Sequence, residues 1–421
     1  MDETPIAQAL RAAAPHALVD VVREAVKDTY GAVDVQLRLA DYGMRSLQGV
    51  GPDAEESVCI HTSPQGRAFG SQKPYMTRTA AGAVDVHLPV IIRGDNLGVL
   101  TVRMGADTYA EPILPELARI SEALGHEILV AERDTDLYVL ARRAARLTLA
   151  AEMQWQLLPG RACARDEFAI GAHLEPAYAI FGDNYDWSVS AERLTLTITN
   201  GMGEGVQAAL LTNLAVSALR NARRAGLDIA NQAVLADQAV HAQYGGEAHV
   251  AVLLLSFDLA TGEVDVVDAG SPRLWRLRDR SVSEVRFDAQ LPLGMFGDTV
   301  YEPQHFTVRP GDRLAFSSDG VYDSPSPGGV NYGESALART LLATSLLPPS
   351  QVPGAMLREL SDHHGDPALD DDALVLCLDW YGRPGAAPVP DAPERPDDAD
   401  GPRAPGEPGA PADRGDGPGS A

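Results

Sequence analysis

The sequence predicts an α+β protein, and three patterns carry that expectation. Between about residues 166 and 380, runs of apolar strands flank two adjoining helices, the layered order of an α+β domain. The N-terminal part reads helix, helix, strand and then a strand hairpin. A stripe of apolar residues at three- and four-residue spacing joins the two parts. At 421 residues the chain is long enough for two or three domains, each with its own core.

The elements follow in order. Residues 1 to about 20 read as a helix from Ile6 onward, broken at Pro15. Ala17 to Tyr30 carries Leu18, Val21, Val22 and Val26 on one face and stops at Gly31, a second helix. Val33, Val35, Leu37 and Leu39 alternate with polar residues as in a half-buried strand. Further strands are expected near Ser57–Thr62 and Val84–Pro89. Val90–Arg93 and Leu97–Met104 bracket Gly94-Asp95-Asn96 as a hairpin. Cys59 and His61 fall on one face of a strand, where a core cysteine and a partly buried histidine outweigh a haem or metal role. Glu116 to about Gln156 reads as nearly continuous helix, with Leu117, Ile120, Leu124 and Ile128 in one stripe. Leu137, Leu140, Ala144, Leu147, Ala151 and Gln154 continue it, a seam suited to a parallel coiled coil between two copies; the competing reading packs the helix on its own domain.

Strands are then expected at Phe168–Leu174, Leu194–Thr199, Val250–Phe257, Glu263–Asp268, Arg273–Leu277 and Asp312–Ser317, with a last one at Leu374–Leu378. Helices are expected at Val206–Arg224, Ile229–Tyr244, Gly333–Leu347 and Ser350–Ser361. From Tyr381 to Ala421 the chain holds ten of its 30 prolines and almost no large apolar residue, so a disordered tail is expected.

Composition excludes several classes. The net charge of −25 argues against nucleic acid and anionic membrane as partners, since both need clustered Lys and Arg. Three cysteines, Cys59, Cys163 and Cys377, give no disulfide framework and point to a reducing compartment. The N-terminus lacks a basic and apolar leader, and no apolar run is long enough to span a bilayer, so a cytoplasmic protein is expected. No G-x-x-x-x-G-K-[ST] loop supports kinase or NTPase chemistry, and Ser271 lies in Gly-Ser-Pro, not in a nucleophile elbow. His363-His364 beside Asp362 and Asp366 lacks the spaced partners of a transition-metal site and reads as a solvated loop.

One pattern does carry chemistry. Phe181-Gly182-Asp183-Asn184-Tyr185-Asp186, Thr199-Asn200-Gly201-Met202-Gly203-Glu204-Gly205, Ser318-Asp319-Gly320-Val321 and Asp370-Asp371-Asp372-Ala373 each put Asp or Asn at a strand end. Acids that converge repel, and burying them is costly unless a cation offsets the charge. Hard divalent ions take such oxygen ligands, and a pair of them orients water against a phosphoryl group.

In the same order, Gln154-Trp155-Gln156-Leu157-Leu158-Pro159 resembles "Q-x-x-L-L-P", Gly182–Asp186 "G-D-Y-Y-D", and Asn200–Gly205 "D-G-M-G-x-G". Ala269–Pro272 resembles "A-G-H-P", Pro292–Gly294 "P-x-G", Arg309–Asp312 with Ser318–Val321 "x-P-G-D…T-D-G-V", and Asp370–Ala373 "D-D-x-T". From about Ala151 to Trp380 the chain thus resembles the SpoIIE-type branch of the PPM (PP2C-like) serine/threonine phosphatases. Leu88-Pro89-Val90 and Leu97-Gly98-Val99-Leu100 resemble the last hairpin of a GAF sensory domain. The expected organisation is a GAF-like α/β sensor over 10–132, a helical coiled-coil linker over 133–160, a phosphatase domain over 161–380 and a tail over 381–421.

The resemblance implies an αββα sandwich that removes phosphate from phosphoserine or phosphothreonine on a regulatory protein of the anti-sigma-antagonist type, under sensor control. It implies two Mn²⁺ or Mg²⁺ ions held by Asp183, Asn200, Gly201, Asp319 and Asp370, with Asp371 the alternative in the acidic triplet. Asp183, Asp319 and Asp370 are the expected catalytic groups. Asp186 reads as a structural partner of its loop, and Glu204 as a nearby carboxylate. A homodimer through the linker is expected; the sensor's ligand is not legible. Asn200 departs from the family, which has a bridging aspartate there; asparagine offers one carbonyl oxygen and no charge. That departure supports an alternative, a pseudophosphatase that binds its partner without catalysis.

Overall fold

The computed structural model describes residues 5–51, 56–106, 111–175, 181–270, 272–365 and 369–383. Ser271, Asp366 and the tail beyond Arg383 lie outside the described residues. The described residues form one compact unit, in which two lobes follow one another.

The N-terminal lobe is an antiparallel sheet of β1 (Ala32–Ala40), β2 (Ser46–Gly49), β3 (Val58–Cys59), β4 (Tyr75–Arg78), β5 (Val84–Ile92) and β6 (Asp95–Met104), in spatial order β3-β2-β1-β6-β5-β4. Helices Pro5–Ala12, Leu18–Tyr30 and Leu114–Ala131 bury Leu10, Val22, Val26, Leu117, Ile120, Leu124 and Ile128 against one face. Helix Pro64–Ser71 closes a smaller cluster with Leu47, Ile60, Phe69 and Val99 on the other. The hairpin turn is Arg93-Gly94, one residue earlier than its Gly-Asp-Asn suggested. Both residues have positive φ, 50° and 93°, which matches a two-residue turn to the twist of the strands.

The long helix is not continuous. It stops at Ala131, resumes for Leu137–Ala141 and again for Leu149–Leu157. Local polar groups compete with the ladder: Thr135 Oγ1 accepts from the Leu137 N–H, and Thr148 Oγ1 caps the last helix at the Ala151 N–H. The stripe of Leu117, Ile120, Leu124 and Ile128 is spent inside its own lobe, and Leu140 is exposed. The uninterrupted seam expected over the linker is therefore absent. Leu137 and Tyr138 pack with the first lobe, Ala150 and Ala151 with Ala209 of the second.

The second lobe has two facing sheets. One runs β15 (Gln304–Thr307), β12 (Glu263–Ala269), β11 (Val250–Asp258), β10 (Arg193–Gly201), β9 (Asn184–Val189). The other runs β14 (Ser281–Val285), β13 (Arg273–Arg278), β16 (Arg313–Ser317), β17 (Ala373–Trp380), β8 (Phe168–Glu175), β7 (Ala162–Ala164). Leu253, Leu255 and Phe257 of β11 meet Leu374, Leu376 and Leu378 of β17 between the sheets. Val252 and Leu254 face outward onto helices Gly205–Arg224 and Ile229–Tyr244. Val375 and Cys377 face outward onto helices Tyr332–Ser335, Leu337–Ala343 and Val352–His364. Strands buried on both faces read as unbroken apolar runs, and the result is an αββα sandwich.

Candidate functional site

Four strand termini meet at one end of the sandwich: the start of β9, the end of β10, the end of β16 and the start of β17. Two glycines let the first pair approach. Gly182 has φ 97°, and its carbonyl accepts from Thr212 Oγ1 at 2.8 Å and from the Gly201 N–H at 3.2 Å. A Cβ on Gly201 would lie 2.3 Å from Thr212 Oγ1, so no larger residue fits without rearrangement.

Asp183 follows Gly182 and is 1% exposed. Neither of its carboxylate oxygens has a hydrogen bond of good geometry, although the Ser318 hydroxyl is near enough to ease its charge, and the side chain of Asn184, also fully buried, is orphaned. Burial first, and then the Asp372 carboxylate beside it, hold Asp183 well above the usual carboxylate range; Asp319 and Asp371 add to this. Asp319 opens the short helix Asp319–Tyr322 and is half-buried, its pKa raised chiefly by burial. Its Oδ1 accepts from Asn200 Nδ2 at 2.6 Å and from the Gly320 N–H at 3.1 Å. Asp371 is half-buried and is pushed up to about 6 by burial and by the Asp319 carboxylate.

The members of the acidic triplet differ in burial. Asp371 faces Asp319, whereas Asp370, the first expectation, is exposed. The third acid, Asp372, stands in the motif but not among the expected ligands. It is fully buried, and its Oδ2 accepts from the Phe181 N–H, the Gly182 N–H and Gln154 Nε2 at 2.9–3.2 Å. Gln154 Nε2 also donates to the Asp183 carbonyl at 2.9 Å. Gln154, Asp372 and the 181–183 backbone form a brace beneath the cluster.

Other expectations come out as follows. Asp186 lies within β9, not in a turn, and is ion-paired with Arg220 at 2.8 Å and Arg223 at 3.1 Å, a structural role. Glu204 is exposed at the N-cap of helix Gly205–Arg224 and makes no capping bond. Gly201 is buried beside Gly182. His363 and His364 end helix Val352–His364 and bond the Val330 and Pro325 carbonyls, so they brace a turn rather than lie in a loop. Cys59 is exposed, not a core residue, because β3 is only two residues long and His61 lies past its end.

Among the described residues, no three His, Cys, Asp or Glu side chains close to the spacing of a formed metal site. The acids share a field rather than a finished coordination sphere. The donor set still suits a hard cation: Asp372, Asp319 and Asp371 raise the charge cost of Asp183, Asp319 raises that of Asp371, and the Asp183 oxygens lack a hydrogen bond of good geometry.

A sandwich of two sheets between helix layers, with acids from three strand ends and Asn200 from a fourth at one edge, is the arrangement that the resemblance to the PPM (PP2C-like) phosphatases implies. Residues 190–381 match the family described as Stage II sporulation protein E (SpoIIE). Phosphoserine phosphatase RsbP of Bacillus subtilis is 24% identical over 164 residues, 38% of this chain and 40% of that protein. Protein IcfG of Synechocystis is 22% identical over 253 residues, 53% of this chain and 40% of that one. The chain thus spans two-fifths of the length of each of these relatives. The solved PP2C domain of SpoIIE from Bacillus subtilis, with a fragment of its regulatory domain, is 19% identical at a TM-score of 0.46, covering 52% of this chain and 64% of that one.

Proposed function

We propose that the protein is a metal-dependent phosphatase acting on phosphoserine or phosphothreonine of a regulatory protein of the anti-sigma-antagonist type. The observation that carries this is Asp183: a buried carboxylate whose oxygens lack a hydrogen bond of good geometry, facing Asp319 and Asp371 at the edge of a PPM-type sandwich. Isolated buried carboxylates are too costly to keep charged, so a cation there would offset the charge. A bound pair of Mn²⁺ or Mg²⁺ ions would supply an activated water and charge stabilisation for phosphoryl transfer. Asp183, Asp319 and Asp371 are the holding carboxylates in this reading, with the Gly201 carbonyl at the close approach and Asp370 at the rim. Asn200 orients Asp319 through its amide. RsbP, named as a phosphoserine phosphatase, supports the substrate class.

The N-terminal lobe serves as the sensor. Its influence would pass through helix Leu149–Leu157, which carries Gln154 and also Trp155, whose ring packs tilted against Tyr42 at 4.9 Å between ring centroids. Among the described residues no helix is long and apolar enough to cross a membrane, in keeping with a cytoplasmic enzyme. Dimerisation through the linker drops out of this reading, because the seam it rested on is interrupted.

The test is Mn²⁺-dependent phosphate release from p-nitrophenyl phosphate and from phosphoserine peptides. The wild type is expected to turn over, and Asp319→Ala to lose at least ~100-fold. The second reading, a pseudophosphatase, is favoured by the Asn200–Asp319 bond, since an amide there relieves repulsion that a bridging aspartate would leave to the metal. A silent wild type that becomes active as Asn200→Asp would establish that reading instead.

A further inference from the structure

We propose that the cleft between the two lobes is a binding site for a small phosphate-bearing molecule. This inference rests on the cleft alone and stands whether or not the acidic cluster is catalytic. The cleft measures about 1140 Å³, the scale of a small-molecule site. The first lobe contributes the turn after β3 and helix Pro64–Ser71; the second contributes β8 and helix Val352–His364. The lobes are pinned across it: Gln72 Nε2 donates to Ser350 Oγ at 3.3 Å, and Gln351 Nε2 donates to the Gly70 carbonyl.

Charge assigns the ligand. The chain carries −25 overall, yet this cleft is lined by Arg45, Arg67, Lys73, Arg161 and Arg358 against only Asp95 and Glu175. Arg45 is spent on Glu175, and Asp95 accepts the backbone N–H of Arg161. The Arg161 guanidinium bonds the neutral carbonyls of Asp41 and Tyr42, at 3.0 and 2.7 Å. Among the described residues Arg67, Lys73 and Arg358 have no carboxylate partner. Arg67 is held in place over the Tyr75 ring, 4.6 Å from its centroid. Unpaired cations converging on one concavity call for a multiply charged anion. A phosphate monoester carries about −1.5 to −2 and matches guanidinium forks. Ser350, Ser361 and Gln351 add neutral hydrogen-bonding groups, and Ile60, Phe69 and Leu357 give apolar wall for the rest of the molecule. The volume is far more than a bare phosphate needs.

Isothermal titration of the full chain tests this, in EDTA at low salt, with inorganic phosphate, pyrophosphate and adenosine monophosphate as probes. At least one probe is expected to bind saturably, and Lys73→Ala with Arg358→Ala to weaken it by at least about tenfold. Asp319→Ala is expected to leave the affinity unchanged. Both cleft residues are exposed; should the alanine pair fail to fold, Lys73→Met with Arg358→Gln removes charge while keeping bulk. Three results would overturn the proposal: no saturable binding below about 10 mM, binding indifferent to the cleft substitutions, or binding lost with Asp319→Ala, which would place the anion at the acidic cluster.

Discussion

Asp183 and Asp186 belong to the same short stretch and are 1% and 4% exposed, yet their surroundings are opposite. Asp186 meets two guanidiniums, Arg220 and Arg223, from the neighbouring helix. Asp183 meets other acids. The same contrast recurs across the sandwich. Asp312 is clasped by both arms of Arg278 at 2.7 Å, and Asp379 by Arg313 at 2.6 and 2.8 Å. Asp319, Asp371 and Asp372 are answered by amides, namely backbone N–H groups, Gln154 and Asn200, and Asp183 takes none of these bonds. Amides satisfy lone pairs but do not cancel charge. Arginine thus meets Asp186, Asp312 and Asp379, whereas among the described residues Asp319 and Asp371 meet amides.

Substitution breaks this contrast most sharply. Asp186→Ala leaves two partly buried guanidiniums without counter-charge and is expected to lower stability by about 3–5 kcal/mol. Asp183→Asn removes repulsion instead; it is expected to leave metal-free stability equal or higher while Mn²⁺-dependent phosphate release falls at least ~100-fold. Urea unfolding in EDTA reads the first effect and phosphate release the second. A shared loss of stability would abolish the distinction drawn between the two aspartates.

Asn200 sharpens the contrast from the other side. Asn200→Asp turns the donor to Asp319 into a fifth carboxylate, so metal-free stability should drop while Mn²⁺ affinity rises by about 10–100-fold. A manganese titration of the melting temperature separates the two, because a ligand that binds only the native state raises its stability with concentration. An unchanged manganese response would mean that position 200 does not face the ion.

The pH response is smaller. Asp371 is pushed up to about 6 from 3.8, so between those values the native state holds more proton than the unfolded chain. Stability of the metal-free protein therefore falls as pH rises through that window and stays lower above it. After discounting for the part of the group that water screens, the drop is about 1–2 kcal/mol. Thermal unfolding at pH 4.5 and 7.5 in EDTA should show it, Asp371→Asn should flatten it, and Mn²⁺ should reverse it.

Much of this was legible in the chain. The apolar runs of β11 and β17 name themselves because both faces are buried, and the strand-end acids stand in family order. The partners of those acids were not legible. The bond from Gln154 to Asp372 spans 218 residues, which no local pattern encodes. Three identical acids in a row do not show which one turns inward; β17, beginning at Ala373, decides it. β9 was hidden because Gly182-Asp183-Asn184 reads as a turn, although strand pairing with β10 begins at Asn184. The linker misled in the opposite sense: a stripe buried in its own lobe has the same spacing as a coiled-coil seam.

Gln154 and Gln156 offer the finest division between structural and site-facing groups, since they share one helix and one residue type. Gln156 is exposed and bonds only the nearby Glu152, so Gln156→Leu should change stability by less than about 0.5 kcal/mol and leave activity alone. Gln154 is 3% exposed and donates to both Asp372 and the Asp183 carbonyl. Gln154→Leu keeps the volume but deprives a buried carboxylate of a donor, a cost of about 1–2 kcal/mol. The Phe181 and Gly182 N–H groups still hold Asp372, so the fold survives while the loop that carries Asp183 loosens. Activity should fall by about tenfold, through weaker Mn²⁺ binding, and should recover in excess Mn²⁺. If excess Mn²⁺ leaves the variant as slow as before, the brace acts on something other than the position of Asp183.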